Sequence, residues 1–124
     1  MGVPDGPVTS GESFNIDVKG RDAGFSVLHN TKIHVVLPNP LVVEGADISD
    51  GPGAATFSNG VAGGTVDFDF GSIDKFAQKA GTIHVHGVLQ PTQNNVKVTV
   101  TAEMTSDEVH AGDAVAEQDL TIQQ

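Results

Sequence analysis

Val96-Lys97-Val98-Thr99-Val100-Thr101-Ala102-Glu103-Met104 alternates apolar and polar residues over nine positions without a break. An extended chain sends successive side chains to opposite faces, so this spacing puts Val96, Val98, Val100, Ala102 and Met104 on one side. Lys97, Thr99, Thr101 and Glu103 take the other. The stretch reads as a strand with one face in a core and one in water. The same period recurs along the chain. Phe14, Ile16 and Val18 alternate with Asn15, Asp17 and Lys19. Ile33, Val35 and Leu37 alternate with Lys32, His34 and Val36, and Pro38, which lacks a ladder donor, closes that strand. Val66, Phe68 and Phe70 oppose Thr65, Asp67 and Asp69, and Ile83, Val85 and Leu89 point inward against His84 and His86. Leu41–Glu44 is a short apolar run, and a last strand fits 114–122 with Leu120 and Ile122 inside.

Turn chemistry separates these runs: Asp50-Gly51-Pro52-Gly53, Asn59-Gly60, Gly63-Gly64, Gly81 and Asn94-Asn95 are residues suited to positive or fixed φ. Asn59-Gly60, between 54–58 and 65–70, predicts a hairpin. Helical spacing occurs once, at Ile73, Phe76, Ala77 and Ala80, and is too short for an independent helix. It predicts a turn or at most one helical turn over 72–80, with Phe76 capping the open end of a core. Seven to nine short strands with one apolar face each predict an all-β protein: an Ig-like or jelly-roll antiparallel β-sandwich, with a closed barrel as the other architecture. Residues 1–10 read as an N-terminal tail or edge strand and 11–124 as a single sandwich domain.

Composition narrows the function. At 124 residues there is room for one domain with a self-sufficient core. Sixteen acids against six bases leave a formal charge of −10, which repels phosphate backbones and anionic headgroups. Nucleic acid and direct membrane insertion are therefore not expected as partners. The absence of Cys excludes disulfide scaffolds, thiolate zinc sites and cysteine nucleophiles. Met1–Gly6 has no basic stretch or apolar run, so no secretory leader is expected there, and Gly6 stands where a myristoylation motif needs Ser or Thr.

The order of features is familiar. Ser10-Gly11-Glu12-Ser13-Phe14-Asn15-Ile16-Asp17-Val18 resembles the opening of the conserved-repeat domain of bacterial and archaeal surface proteins. Ile33–Val43, with Leu37-Pro38 at its centre, is similar to that family's next strand. Val66–Ile73 and Ala80–His86 match its later elements, and 96–104 and 120–122 stand where the family closes its sandwich. The resemblance covers about residues 8–123 and implies an Ig-like sandwich displayed at the cell surface. One departure is the connection Lys19–Phe25, longer than the family's Asn-x-Gly turn. It keeps a different extracellular sandwich, such as a cohesin, in view.

No nucleophile elbow, Walker loop or dinucleotide fingerprint is present. Asp67 and Asp69 share a strand face roughly 7 Å apart, within the reach of a glycosidase acid pair. Solvated strand-face acids explain them as well. Missing Trp and Tyr remove the usual sugar-stacking platforms. Asp47-x-Ser49-Asp50-Gly51 offers oxygens for Ca²⁺ without EF-hand spacing, and a self-bonded Asx turn explains the same letters; Asp107, Glu108 and Asp113 are in the same position. His84 and His86 leave one face about 7 Å apart, a spacing that can converge on Zn²⁺, Ni²⁺ or Cu²⁺. His34 and Asp67 would supply further ligands if their strands are neighbours; cross-strand His–acid pairing is the alternative. An isopeptide crosslink would need a buried lysine, and Lys19, Lys32 and Lys97 all point outward. No cofactor is required by any of this. The expectation is a non-catalytic structural or interaction module of a larger extracellular or cell-surface protein. Its partner is another protein or neighbouring domains of its own chain. A cohesin-like module recognising a partner through one sheet face, with Val36 and Val88 as first suspects, is the alternative. A carbohydrate- or metal-binding accessory domain of an enzyme is the third reading.

Overall fold

The computed structural model describes residues 2–3, 6–21, 27–50, 53–60, 63–74, 77–92, 94–108 and 115–124. The chain is a β-sandwich, and no described residue is helical. Its strands are β1 (Val8–Thr9), β2 (Ser13–Arg21), β3 (Leu28–Pro38), β4 (Leu41–Asp50), β5 (Ala54–Gly60), β6 (Gly63–Ile73), β7 (Gln78–Gly87), β8 (Asn95–Thr105) and β9 (Val115–Gln123). One sheet has six strands in the order β1-β9-β8-β3-β6-β5, the other three in the order β2-β7-β4. Pairings are antiparallel except β1 with β9, which is parallel. From β2 to β8 the chain changes sheets at every connection except the β5–β6 hairpin, and β8–β9 is a second hairpin.

The alternation that suggests the strands also builds the core. Ile16, Val18, Val43, Ile83 and Val85 of the small sheet meet Ile33, Val35, Val66, Phe68, Val100, Leu120 and Ile122 of the large one, all buried. Fully burying each such side chain contributes about 1.5–3 kcal/mol, which outweighs what any surface pair here can add. Phe68 and Phe70 stack with centroids 5.9 Å apart and planes 10° from parallel.

One local expectation holds and two differ from what is observed. The region 72–80 holds strand ends joined by a turn: β6 runs to Ile73, β7 starts at Gln78, and Ala77 N donates to Asp74 O at 2.9 Å. Phe76 lies outside the described residues. Asn59-Gly60 is the end of β5 and not the turn itself, because Gly60 pairs with Gly63 and Asn59 with Gly64. Gly81 is not in a loop. It sits mid-strand in β7, where a Cβ would stand within 3 Å of three carbons of the Phe68 ring, so the ring occupies the place of its missing side chain.

Asn30 has a positive φ of 52° and the β3–β6 register shifts on both sides of Thr31, a bulge that turns the Thr31 side chain inward. Its hydroxyl is buried without a hydrogen-bond partner among the described residues. Thr31→Val keeps the shape and removes the unpaired group, so a gain of about 1 kcal/mol is expected in chemical denaturation. A loss of stability would mean that the hydroxyl has a partner.

Candidate interaction faces

On the outer face of the large sheet the register lines side chains into rows. One row runs Thr56, Asp67, His34, Glu103, Val115, and the next Ser58, Thr65, Val36, Thr101, Glu117. His34 Nδ1 lies 2.6 Å from Asp67 Oδ1 across β3 and β6. Asp69, one register step along, accepts a bond from Gly71 N at 3.1 Å and faces Lys32. Further down, the Thr99 hydroxyl donates to Asp119 at 2.7 Å and Lys97 Nζ stands 3.3 Å from the same carboxylate. The Thr99 bond first, then Lys97, holds the Asp119 carboxyl below its ordinary range. Val36 lies between the hydroxyl-bearing Thr65 and Thr101 in the row between these charged rows, on a central strand, and is 42% exposed. Val115 is exposed on the same face.

The outer face of the small sheet carries the remaining described imidazole pairs but one. His84 presents Nδ1 to Asn15 Oδ1 at 2.8 Å and Nε2 to Asp47 Oδ2 at 3.0 Å, bridging β2 and β4 across β7. His86 Nδ1 lies 3.1 Å from Glu44 Oε1, and the Ser13 hydroxyl donates to that oxygen at 3.0 Å. Glu44 is the extra residue of a bulge between Val43 and Gly45 and lies on the outer face beside His86. His29 stands on the other sheet: the bulged end of β3 receives the chain after β8. His29 Nδ1 and N both bond Glu108, at 2.8 Å each, and Asn30 Nδ2 donates to Asp107 at 2.9 Å.

The side-chain hydrogen bond from His29 holds the Glu108 carboxyl below its ordinary range. A depressed carboxyl stabilises the folded chain above its unfolded pKa, and that contribution is lost as pH falls through the folded value. Glu108 lies at the surface, so the effect on stability is small. In a carbon-detected NMR titration Glu108 is expected to titrate at lower pH than a free glutamate and to move back toward the ordinary range in His29→Ala, which keeps the amide bond of residue 29. No change in that variant would remove His29 as the cause.

The sequence candidates thus fall on two opposite faces. His84, His86 and Asp47 are together on the small sheet; His34, Asp67 and Val36 are together on the large one. The neighbours of β7 are β2 and β4, so neither His34 nor Asp67 stands beside the His84–His86 pair. Among the described residues no group of three or more His, Asp or Glu is placed to hold a metal ion. Asp47 is in a strand and not a turn, opposite Thr82, and the Asp50 side chain lies outside the described residues. Val88 belongs to neither face: it follows β7 at one end of the sandwich, its N–H bonded to Pro40 O at 3.3 Å, beside the cis Asn39–Pro40 peptide. The lysines Lys19, Lys32 and Lys97 are exposed. Sequence reasoning missed Glu44, Asn15 and Ser13 as partners of the imidazoles. Gly45, directly after the Leu41–Glu44 run, is the available sign of the bulge at Glu44.

No family model matches the chain, and no curated protein matches it. Among solved structures it is similar to AvmM, described as catalysing macrocyclisation in alchivemycin A biosynthesis. The TM-score is 0.61 at 11% identity, over 100% of this chain and 86% of that one. A family 123 glycoside hydrolase from Clostridium perfringens, described for glycolipid glycan hydrolysis, gives a TM-score of 0.49 at 14% identity. That match covers 94% of this chain and 22% of the hydrolase. At these identities the likeness to AvmM shows a shared fold alone.

Proposed function

We propose that this chain is a non-catalytic interaction module of a larger extracellular or cell-surface protein, and that it meets a protein partner through the outer face of its six-stranded sheet. Val36 carries this reading. It is a large apolar side chain on a central strand, exposed where the pattern of β3 calls for a polar residue, and ringed by the Thr65 and Thr101 hydroxyls. An apolar centre with a polar rim is the usual make-up of a recognition patch. The charged rows on either side, Asp67–His34–Glu103 and Thr99–Asp119, would set the orientation of a partner more than its affinity. The resemblance of the sequence to surface-protein repeats agrees with such a role.

The test uses a photo-crosslinking residue at position 36 and, separately, at position 15 on the small sheet, exposed to the extracellular fraction of the source cells. Position 36 is expected to trap one partner species that Val36→Arg no longer binds, and position 15 none. Trapping from position 15 instead would move the recognition face. Turnover of an ester, glycoside or phosphate substrate that disappears in Asp67→Asn or Asp69→Asn would replace the module by an enzyme.

A further inference from the structure

We infer that two copies of this chain join edge to edge along β5 into one continuous antiparallel sheet. β5 closes the large sheet, and among the described residues its backbone bonds reach β6 alone. The other long edges carry charge, Asp17 and Lys19 on β2, Glu44 and Asp47 on β4, and Glu117 and Asp119 on the part of β9 that runs beyond its two-residue pairing with β1. Gly2 exchanges backbone bonds of 2.7 and 2.9 Å with Asp17 along β2, and the Asn59 carboxamide bonds both N and O of Val43 on β4, at 2.9 Å each. The far end of the large sheet is the two-residue β1.

Natural sheets guard exposed edges with charge, proline or a bulge. β5, Ala54-Ala55-Thr56-Phe57-Ser58-Asn59-Gly60, has neither charge nor proline, and its register with β6 is unbroken from Ala54 to Gly60. Phe57 adds an unmet apolar surface. It pairs with Val66 and so faces the sandwich interior, yet it is 46% exposed, because three strands cannot cover the border of a six-stranded sheet.

The charge distribution selects a second copy as the occupant. A body carrying −10 repels its own copy, but from Gly51 to Val66 the sequence has no ionisable side chain, the longest such run in the chain. Two identical edges paired antiparallel are related by a two-fold axis, which brings the Phe57 rings of the two copies close to one another. Among the described residues β5 is the one long edge without charge, so assembly stops at the dimer. Seven residues of edge and one ring fall short of the roughly 800 Å² per partner of a stable complex, so the dimer is weak and concentration-dependent.

Sedimentation equilibrium from micromolar to millimolar protein tests this, with amide chemical shifts followed over the same range. The average mass is expected to rise from 12.8 kDa toward twice that value. It should rise further with added salt, which screens the repulsion between two acidic bodies. Shifts should concentrate in 54–60, and Phe57→Lys and Thr56→Lys, both at exposed positions, should stay folded and monomeric. A mass that holds at 12.8 kDa in millimolar solution overturns the inference, as does dimerisation that survives Phe57→Lys. Shifts centred on Val36 and Val115 would place the contact on the sheet face instead. A monomeric chain whose β5 amides move only with an unrelated extended peptide would give the edge to a foreign strand.

Discussion

Gly81→Val is expected to remove about 3 kcal/mol or more of stability, and Gly81→Ala nearly as much. Gly81 is in the middle of β7, paired with Val18 on one side and Ile48 on the other. A Cβ built there would stand 2.4 Å from Phe68 Cε1, with two further ring carbons at 2.7 and 2.9 Å. The ring has nowhere to go: it is fully buried and stacked on Phe70. The variant must therefore separate the sheets or force Phe68 off its rotamer. Gly45→Ala on neighbouring β4 is the control, since its Cβ would meet nothing nearer than His84 Cδ2 at 3.9 Å. It should change stability by less than about 0.5 kcal/mol. Urea unfolding of Gly81→Ala, Phe68→Leu and the double variant checks the cause. The smaller side chain makes room, so the double variant should lose less than the two single losses added together. Strict additivity would separate Gly81 from Phe68.

That glycine shows where the sequence is legible and where it is not. Period-two alternation found β2, β3, β6, β7, β8 and the inner residues of β9, because a side chain's face in a strand follows from its parity alone. The sandwich followed from the number of such strands. In sequence Gly81 reads as punctuation because a glycine's local preference is for turns, whereas its reason here is a phenylalanine thirteen residues earlier on the other sheet. Of β4 the sequence pattern shows only Leu41–Glu44. The bulge after Val43 shifts the inward set from Leu41 and Val43 to Ala46 and Ile48, so the parity signal breaks in mid-strand. For the same reason Asp47 looked like part of a turn.

The faces were half legible. Outward placement of His34, His84, His86, Asp67 and Asp69 follows from parity. Which of them meet depends on strand order, and no local pattern encodes that β7 lies between β2 and β4 while β3 lies between β6 and β8. Hence His84 meets Asn15 and Asp47, residues far away in sequence, and His34 meets Asp67 on the opposite side of the molecule. The exposure of Val36 was visible as a break in alternation; that of Phe57 was not, because it arises from the unequal widths of the two sheets.

Val98→Asp is expected to unfold the chain, while Lys97→Asp, one residue away, is expected to cost about 1 kcal/mol or less. Val98 is buried on the inner face of β8, opposite Leu120 of β9, where a carboxylate would have no cation and no water. The penalty for such an unpaired charge is several kcal/mol, a large part of the stability of a domain this size. Lys97 points into solvent, and what it loses is one exposed ion pair with Asp119. Its replacement sets two acids side by side, a repulsion that salt should weaken. Asp119 keeps its bond from the Thr99 hydroxyl, the larger cause of its lowered pKa. In Lys97→Asp its carboxyl should therefore titrate higher than in the parent, since the cation is gone and a like charge has arrived. Circular dichroism melts and carboxyl NMR titrations measure both effects. Equal destabilisation by the two substitutions would mean that the inner and outer faces of β8 are exchanged, and with them every row of side chains described for the large sheet.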